Sequence, residues 1–302
     1  MVDLDKNVAR NKQLDGLFTV VGLLSTFIGM LTLAALIINL AIDGAVRLTP
    51  HFFTSFPSRF PAQAGILSAW VGTTLVMVVT ALTAVPMGIA AGVYLEEYAP
   101  KNWLTALIEI NIANLAGVPS IVYGLMALGL FVYQLKLGQS VLSAGLTLAL
   151  LILPIVIVAT RESIRAVPGS MREAAYALGA TKWQTTRDHV LPYSMGGILT
   201  GVIIALSRAI GETAPLVTIG ALTFIAFLPD APVKGEFPFL SLDWLMSPFT
   251  VMPIQMFNWV SRPQQEFHLN AAATGLVLMV MTLIMNGIAI YFRYRFRKRI
   301  KW

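Results

Sequence analysis

The chain has 302 residues, 57% of them hydrophobic and only 12% charged, with a mean hydropathy of +0.75. Soluble domains carry about 25% charged residues, so this composition excludes an ordinary soluble domain and calls for lipid as solvent. The net charge of +6 does not mark a nucleic-acid binder, because the basic residues stand at the ends of apolar runs. There is no cysteine, which excludes disulfides and thiolate metal sites.

Residues 1–16 read as a polar cytoplasmic tail. The run 17–42 lies within 27 uncharged residues between Asp15 and Asp43. That is too long for a signal-peptide core of about 7–15 residues, so it is expected as a first, uncleaved transmembrane anchor. The main membrane domain is expected over 65–290. A second charge-free stretch of 36 residues separates Arg59 from Glu96. A third span, 104–133, carries Glu109, Asn111 and Asn114. Gly117 and Pro119 are predicted to break it, as a packing kink or as a gate hinge. The fourth span lies in the 24 uncharged residues between Lys136 and Arg161. The fifth, 193–220, carries Arg208 and Glu212. The sixth lies in the 26 between Glu266 and Arg293. Crossing a bilayer core takes about 20 residues. The expected fold is therefore all-α and polytopic, with about six transmembrane helices.

With the N-terminus inside, fifteen Lys and Arg fall on the cytoplasmic side and five outside, with Arg208 within a span. The positive-inside rule then puts both termini and the loop 161–192 in the cytoplasm, and the loop 221–266 outside. The basic tail 293–302 reads as a topology anchor or as a contact for anionic lipid. In the outer loop, Pro229, Pro232, Pro238, Pro248 and Pro253 preclude a long helix. Trp244, Phe249, Phe257 and Trp259 suit the membrane interface or a docking surface for an outer partner.

The loop 161–192 has its own grammar. Pro168 and Gly169 stop the preceding helix. A short helix is predicted over 171–178, with Ala174, Ala175 and Ala177 on it, and Gly179 at its C′ position. An amphipathic piece over 182–190 then runs to Leu191 and Pro192. A small helix-turn-helix on the membrane surface follows, with a small-residue face that lets another backbone approach. No Gly-x-x-x-x-Gly-Lys-Ser/Thr loop for ATP is present.

Ionisable groups within a span cost about 2.5–3.5 kcal/mol each on insertion scales, so they face protein or a water-filled path. Arg208 and Glu212 are four apart and are expected on one helix face. Gly211 permits close approach, and Pro215 disturbs the backbone one turn on. The pair is either a structural ion pair or an anion-handling site. Glu109 is expected at the pore or near the cytoplasmic interface, and the two asparagines as interhelical hydrogen bonders. His51, His189 and His268 are spread along the chain, so no metal centre, catalytic triad or cofactor site is expected.

Glu173-Ala174-Ala175, Gly179 and Leu191-Pro192 together resemble the EAA loop of ABC importer permeases, with His189 where an aliphatic residue is usual. The resemblance implies a type I importer permease fold of the MetI-like kind. It also implies a coupling helix at Glu173, Ala174, Ala175 and Gly179 that docks on a separate ATPase. The segments 116–126 and 206–217 resemble the phosphate permease signature of the PstA type. On that resemblance, which spans about 66–290, Arg208 meets phosphate and Glu212 is its acidic companion. The arginine fork suits phosphate oxygens, while selectivity is expected to reside in an outer binding protein.

The implied partners are the lipid bilayer, a second permease of the PstC type, an ATPase dimer of the PstB type, an outer binding protein of the PstS type, and inorganic phosphate. ATP is expected on the partner, and the location is the bacterial inner membrane. Two alternatives stay open. One is a permease for molybdate or phosphonate. The other is an ion-driven secondary transporter, which leaves the EAA loop unexplained.

Overall fold

The computed structural model describes residues 4–231 and 241–299. Helix α1 (Leu4–Ala45) starts earlier than expected. No proline interrupts residues 4–16, so most of the polar tail continues the helix. The spanning part of α1 is unburied within this chain, and a helix that is apolar all round belongs in lipid or against a partner. It packs on its own chain near its end, where Leu40 meets Gly275 and Gly44 abuts the backbone of Ala272 and Ala273.

A short helix α2 (Pro50–Thr54) leads to α3 (Leu67–Val93), which a π-helical turn extends to Tyr98. Then come α4 (Trp103–Leu115), α5 (Ser120–Ala127) with a π-helical continuation to Gln134, and α6 (Val141–Arg165). Helices α3 and α6 form the centre of the fold, and glycines set their spacing. A Cβ on Gly145 would collide with Val79, one on Gly88 with Val156, and one on Gly92 with Thr160. The register advances the same way on both helices, so they are parallel.

Parallel neighbours require the intervening chain to cross back. Helices α4 and α5 do this with a bend of 105° between them. Alone, the 13 residues of α4 reach only about 20 Å. Among the described residues five helices are long and apolar enough to span singly, and the bent pair taken as one span makes six. The third span is thus two short helices rather than one rod, broken where Gly117 and Pro119 stand.

Helix α7 (Gly169–Ala177) and α8 (Lys182–Thr185) precede α9 (Leu191–Ile210), which runs antiparallel to α6, with Gly197 on Ser163 and Gly201 on Ala159. The fifth span ends at Ile210 rather than at 220. Gly211 caps it, and Pro215 sits in the first turn of a separate short helix, α10 (Ala214–Thr218), where its missing N–H costs nothing. After α11 (Met252–Val260), α12 (Gln265–Arg299) packs antiparallel to α9 through Ser207–Asn286 at 2.6 Å and Arg293–Thr200 at 3.0 Å. These directions bring the start of α1 and the end of α12 to the face that carries the 161–192 loop. Among the described residues there is no strand, only an isolated bridge between Ser140 and Pro248.

The outer loop departs from its interface reading. Phe249 and Trp259 are buried, and Trp259 packs on Phe52 and Phe267 with ring centroids 6.1 and 6.4 Å apart. Phe257 is exposed. The Thr73 hydroxyl accepts the Met252 N–H at 2.9 Å, tying the loop to the outer end of α3. Aromatic rings thus pack together at the end of the bundle opposite the 161–192 loop. Pro232, Lys234 and Pro238 lie outside the described residues.

Candidate functional site

Arg208 occupies the last turn of α9, and its Nε lies 3.3 Å from Glu212 Oε1. Glu212 is beyond the helix, yet its N–H still reaches the Ala209 carbonyl, which keeps it one turn from Arg208. The Arg208 side chain is 41% exposed and that of Glu212 is 17% exposed. The guanidinium is therefore the more exposed member of the pair, and the carboxylate contacts it from the more buried side.

The two signature segments, far apart in sequence, meet here. Gly124 of α5 packs against Pro215 and Thr218 of α10, so closely that any Cβ would collide with them. Across the α4–α5 break, the Tyr123 hydroxyl donates to the Leu115 carbonyl at 2.9 Å. The same carbonyl also accepts the Val118 N–H at 3.1 Å, so both bonds pin the elbow. Gly117 and Pro119 thus belong to an elbow that rests on α10, next to the pair formed by Arg208 and Glu212. Pro215 is buried in that contact.

The 161–192 loop folds as the predicted helix-turn-helix. Gly179 has φ +81°. Its N–H bonds to the Tyr176 carbonyl and that of Ala180 to the Ala175 carbonyl, the double closure of a Schellman motif. Thr181 and Gln184 then form a capping box for α8. The small residues divide. Ala175 is buried against its own chain, whereas Glu173, Ala174, Ala177 and Gly179 are exposed. The expected small-residue face therefore lacks Ala175, whose methyl fills the inside of the turn. Beside it stand Tyr176, Leu178 and Trp183, exposed by 43%, 90% and 55%. The piece after α8 does not stop at Leu191-Pro192. A π-helical turn carries it straight into α9, with Pro192 in the first turn.

A buried ionic network ties this loop to the spans. Arg172 donates to Glu97 at 2.7 Å and also to the carbonyls of Val167 and Ile164. Arg161 lies 2.7 Å from Glu109 and 3.6 Å from Glu96, and Arg165 reaches Glu96 at 3.1 Å. Glu109 therefore sits at the loop end of the bundle, paired, and not in the pathway beside Arg208. Asn111 donates to Leu107 in its own helix rather than across to another.

Residues 84–301 match the family of binding-protein-dependent transport system inner membrane components. The chain belongs to this family. It is similar to the phosphate transport system permease protein PstA 1 of Mycobacterium tuberculosis (strain CDC 1551 / Oshkosh), with 32% identity over 79% of this chain and 73% of the relative. To PstA of Yersinia pestis it is 31% identical over 94% and 91% of the two chains. The fold is similar to a chain of the inward-facing MetNI methionine ABC transporter, with a TM-score of 0.57 at 14% identity, covering 74% of this chain and 94% of that one.

In this transport-system membrane component, sequence reasoning found Arg208, Glu212 and the loop, but missed Arg161, Arg172, Glu96 and Glu97 as a set. The basic pair was read as topology signal alone. The available signal was two adjacent acids, Glu96 and Glu97, closing a span at the side where basic residues gather.

Proposed function

We propose that the chain is a permease subunit of an ATP-driven phosphate importer. The observation that carries this reading is the accessible Arg208 guanidinium held by Glu212 beside the α5–α10 contact. The PstA names of its relatives support the choice of phosphate. When the pathway is empty, Glu212 keeps Arg208 paired and aimed. A phosphate in transit takes the bidentate fork, and Glu212, released, stays close enough to recapture the arginine and return the anion to water. The exposed face of α7 is the coupling surface for an ATPase dimer of the PstB type. A second permease of the PstC type completes the pathway, and an outer binding protein of the PstS type delivers phosphate. Both termini are cytoplasmic, in a bacterial inner membrane.

The test is uptake of labelled phosphate, sulfate and molybdate by cells that express the chain with its partner subunits. Phosphate uptake that depends on Arg208 is the expected result. Import of molybdate in preference to phosphate would overturn the substrate, and uptake independent of an ATPase would overturn the class.

A further inference from the structure

At the loop end of the bundle, a cavity of ≈ 390 Å³ opens between the start of α9 and the end of α12. Its walls include Pro192, Tyr193, Thr200 and Arg293, with Gly196 as its floor; Gly197 also lines it but turns its Cβ direction towards Ser163 of α6. A Cβ on Gly196 would meet nothing within 4 Å, so the floor is backbone with open space above it. Arg293 is half-buried there, and one Nη donates to the Thr200 hydroxyl at 3.0 Å. Among the described residues no carboxylate lies within ion-pairing distance of it.

The arginines of α6 and of the 161–192 loop, Arg161, Arg165, Arg172 and Arg187, each hold a carboxylate. Arg295 holds none among the described residues but is exposed, whereas Arg293 is half-buried. A guanidinium carries five N–H donors, and a half-buried one without a counter-charge is costly. Among the described side chains lining the cavity, only that of Arg293 carries a full charge, and it is positive.

We propose that this cavity is a binding site for a phosphate group, gripped by the Arg293 fork with the glycine floor admitting it close to the backbone. The group is either the headgroup of an anionic phospholipid or an inorganic phosphate leaving the pathway. The second source rests on the proposed function. The first rests only on the chain's place in a bilayer. Gly197 is eleven residues from Arg208, which puts both on nearly the same stripe of α9, about 16 Å apart along its axis.

The experiment uses the full chain purified with its partner subunits, in three variants: Arg293→Gln, Arg293→Lys and Arg295→Gln. Arg295 is exposed and bonds only the Tyr291 hydroxyl among the described residues, so it controls for loss of charge outside the cavity. Retained phosphatidylglycerol is quantified by mass spectrometry, and phosphate uptake is measured alongside. Loss of a charge-assisted fork corresponds to about tenfold weaker binding. If the ligand is lipid, Arg293→Gln loses most of its retained phosphatidylglycerol, Arg293→Lys loses less, and Arg295→Gln retains the parent amount. If the ligand is inorganic phosphate, lipid is unchanged and the phosphate concentration for half-maximal uptake shifts with Arg293→Gln alone. Parent-like lipid and uptake in Arg293→Gln would overturn the site, as would equal losses in Arg293→Gln and Arg295→Gln. Release of a partner subunit with lipid unchanged would also overturn it, in favour of a protein carboxylate. Arg293→Lys keeps the positive charge, so the comparison survives if Arg293→Gln fails to assemble.

Discussion

The guanidinium of Arg172 joins the distant Glu97 carboxylate, at 2.7 Å, to the carbonyls of Ile164 and Val167 just before its own helix, at 3.1 and 2.9 Å. Through it, the exposed helix α7 is fastened to the ends of α3 and α6. The loop helix is thereby linked to both central parallel helices.

Removing one partner of such a buried pair costs about 3–5 kcal/mol. The side chain of Glu97 is 6% exposed and that of Arg172 is 21% exposed, so Glu97→Gln is expected toward the lower end. Arg172→Lys should restore charge but not the bonds to two carbonyls, and should recover part of the loss. Thermal unfolding in detergent reads the first effect and substrate-stimulated ATP hydrolysis of the assembled complex the second. Normal unfolding and normal coupling in Glu97→Gln would remove the fastening role.

Arg208 and Glu212 are separated by a double exchange. Arg208→Lys should impair phosphate uptake, because an ammonium lacks the planar fork, and Arg208→Gln should abolish it. Glu212→Gln should lower uptake by less. The double change Arg208→Gln, Glu212→Gln removes both charges and leaves neither unpaired. If the pair only held the protein together, uptake would return; the transit role requires that it stay absent while the complex assembles normally.

Gly124→Ala should be destabilising out of proportion to one methyl, because that methyl meets Thr218 and Pro215. Overpacking of this kind costs about 1–3 kcal/mol. Gly129→Ala, at a position with nothing within 4 Å, is the matched control and should be near neutral. Equal thermal midpoints for the two variants would contradict the tight α5–α10 contact.

At Gly179 the constraint within the chain is backbone, not space. With φ at +81° and open room around it, Gly179→Ala should cost about 1 kcal/mol, and Gly179→Asn less, since asparagine tolerates the left-handed region. Gly179→Leu should in addition obstruct a docked ATPase and lose transport at normal membrane abundance. Transport by Gly179→Leu at the parent rate would place the docking surface elsewhere.

Topology can be read by single cysteines, because the chain has none of its own. Glu173→Cys should label from the cytoplasm, and Ser261→Cys from outside without permeabilisation. Labelling of Ser261→Cys only in opened membranes would invert the arrangement.

The sequence by itself determined the membrane class, about six crossings and the Gly117–Pro119 break in the third, but not the end of the fifth at Ile210. These depend on local quantities: the length of uncharged runs, the placement of Pro119, Pro215 and Gly179, and the bias of basic residues. Arg208 and Glu212 were legible because a charge within an apolar run stands out, and a four-residue spacing predicts its partner. Tertiary structure decided the rest. That the chain between α3 and α6 crosses back follows from their parallel packing, which no single segment encodes, and the 105° angle of its bend is seen only in the fold. Trp259 and Phe249 were read as suiting the interface or a docking surface, because amphipathic rings suit several environments and only their neighbours reveal which. Glu109 was ambiguous for the same reason: depth along a helix is local, but the arginine that neutralises it comes from α6. Ala175 turns inward and Arg172 reaches Glu97 because of how a short loop folds onto two spans. Long-range pairing of charges and rings depends on which helices become neighbours, and burial in the assembled bundle, rather than sequence spacing, fixes that choice.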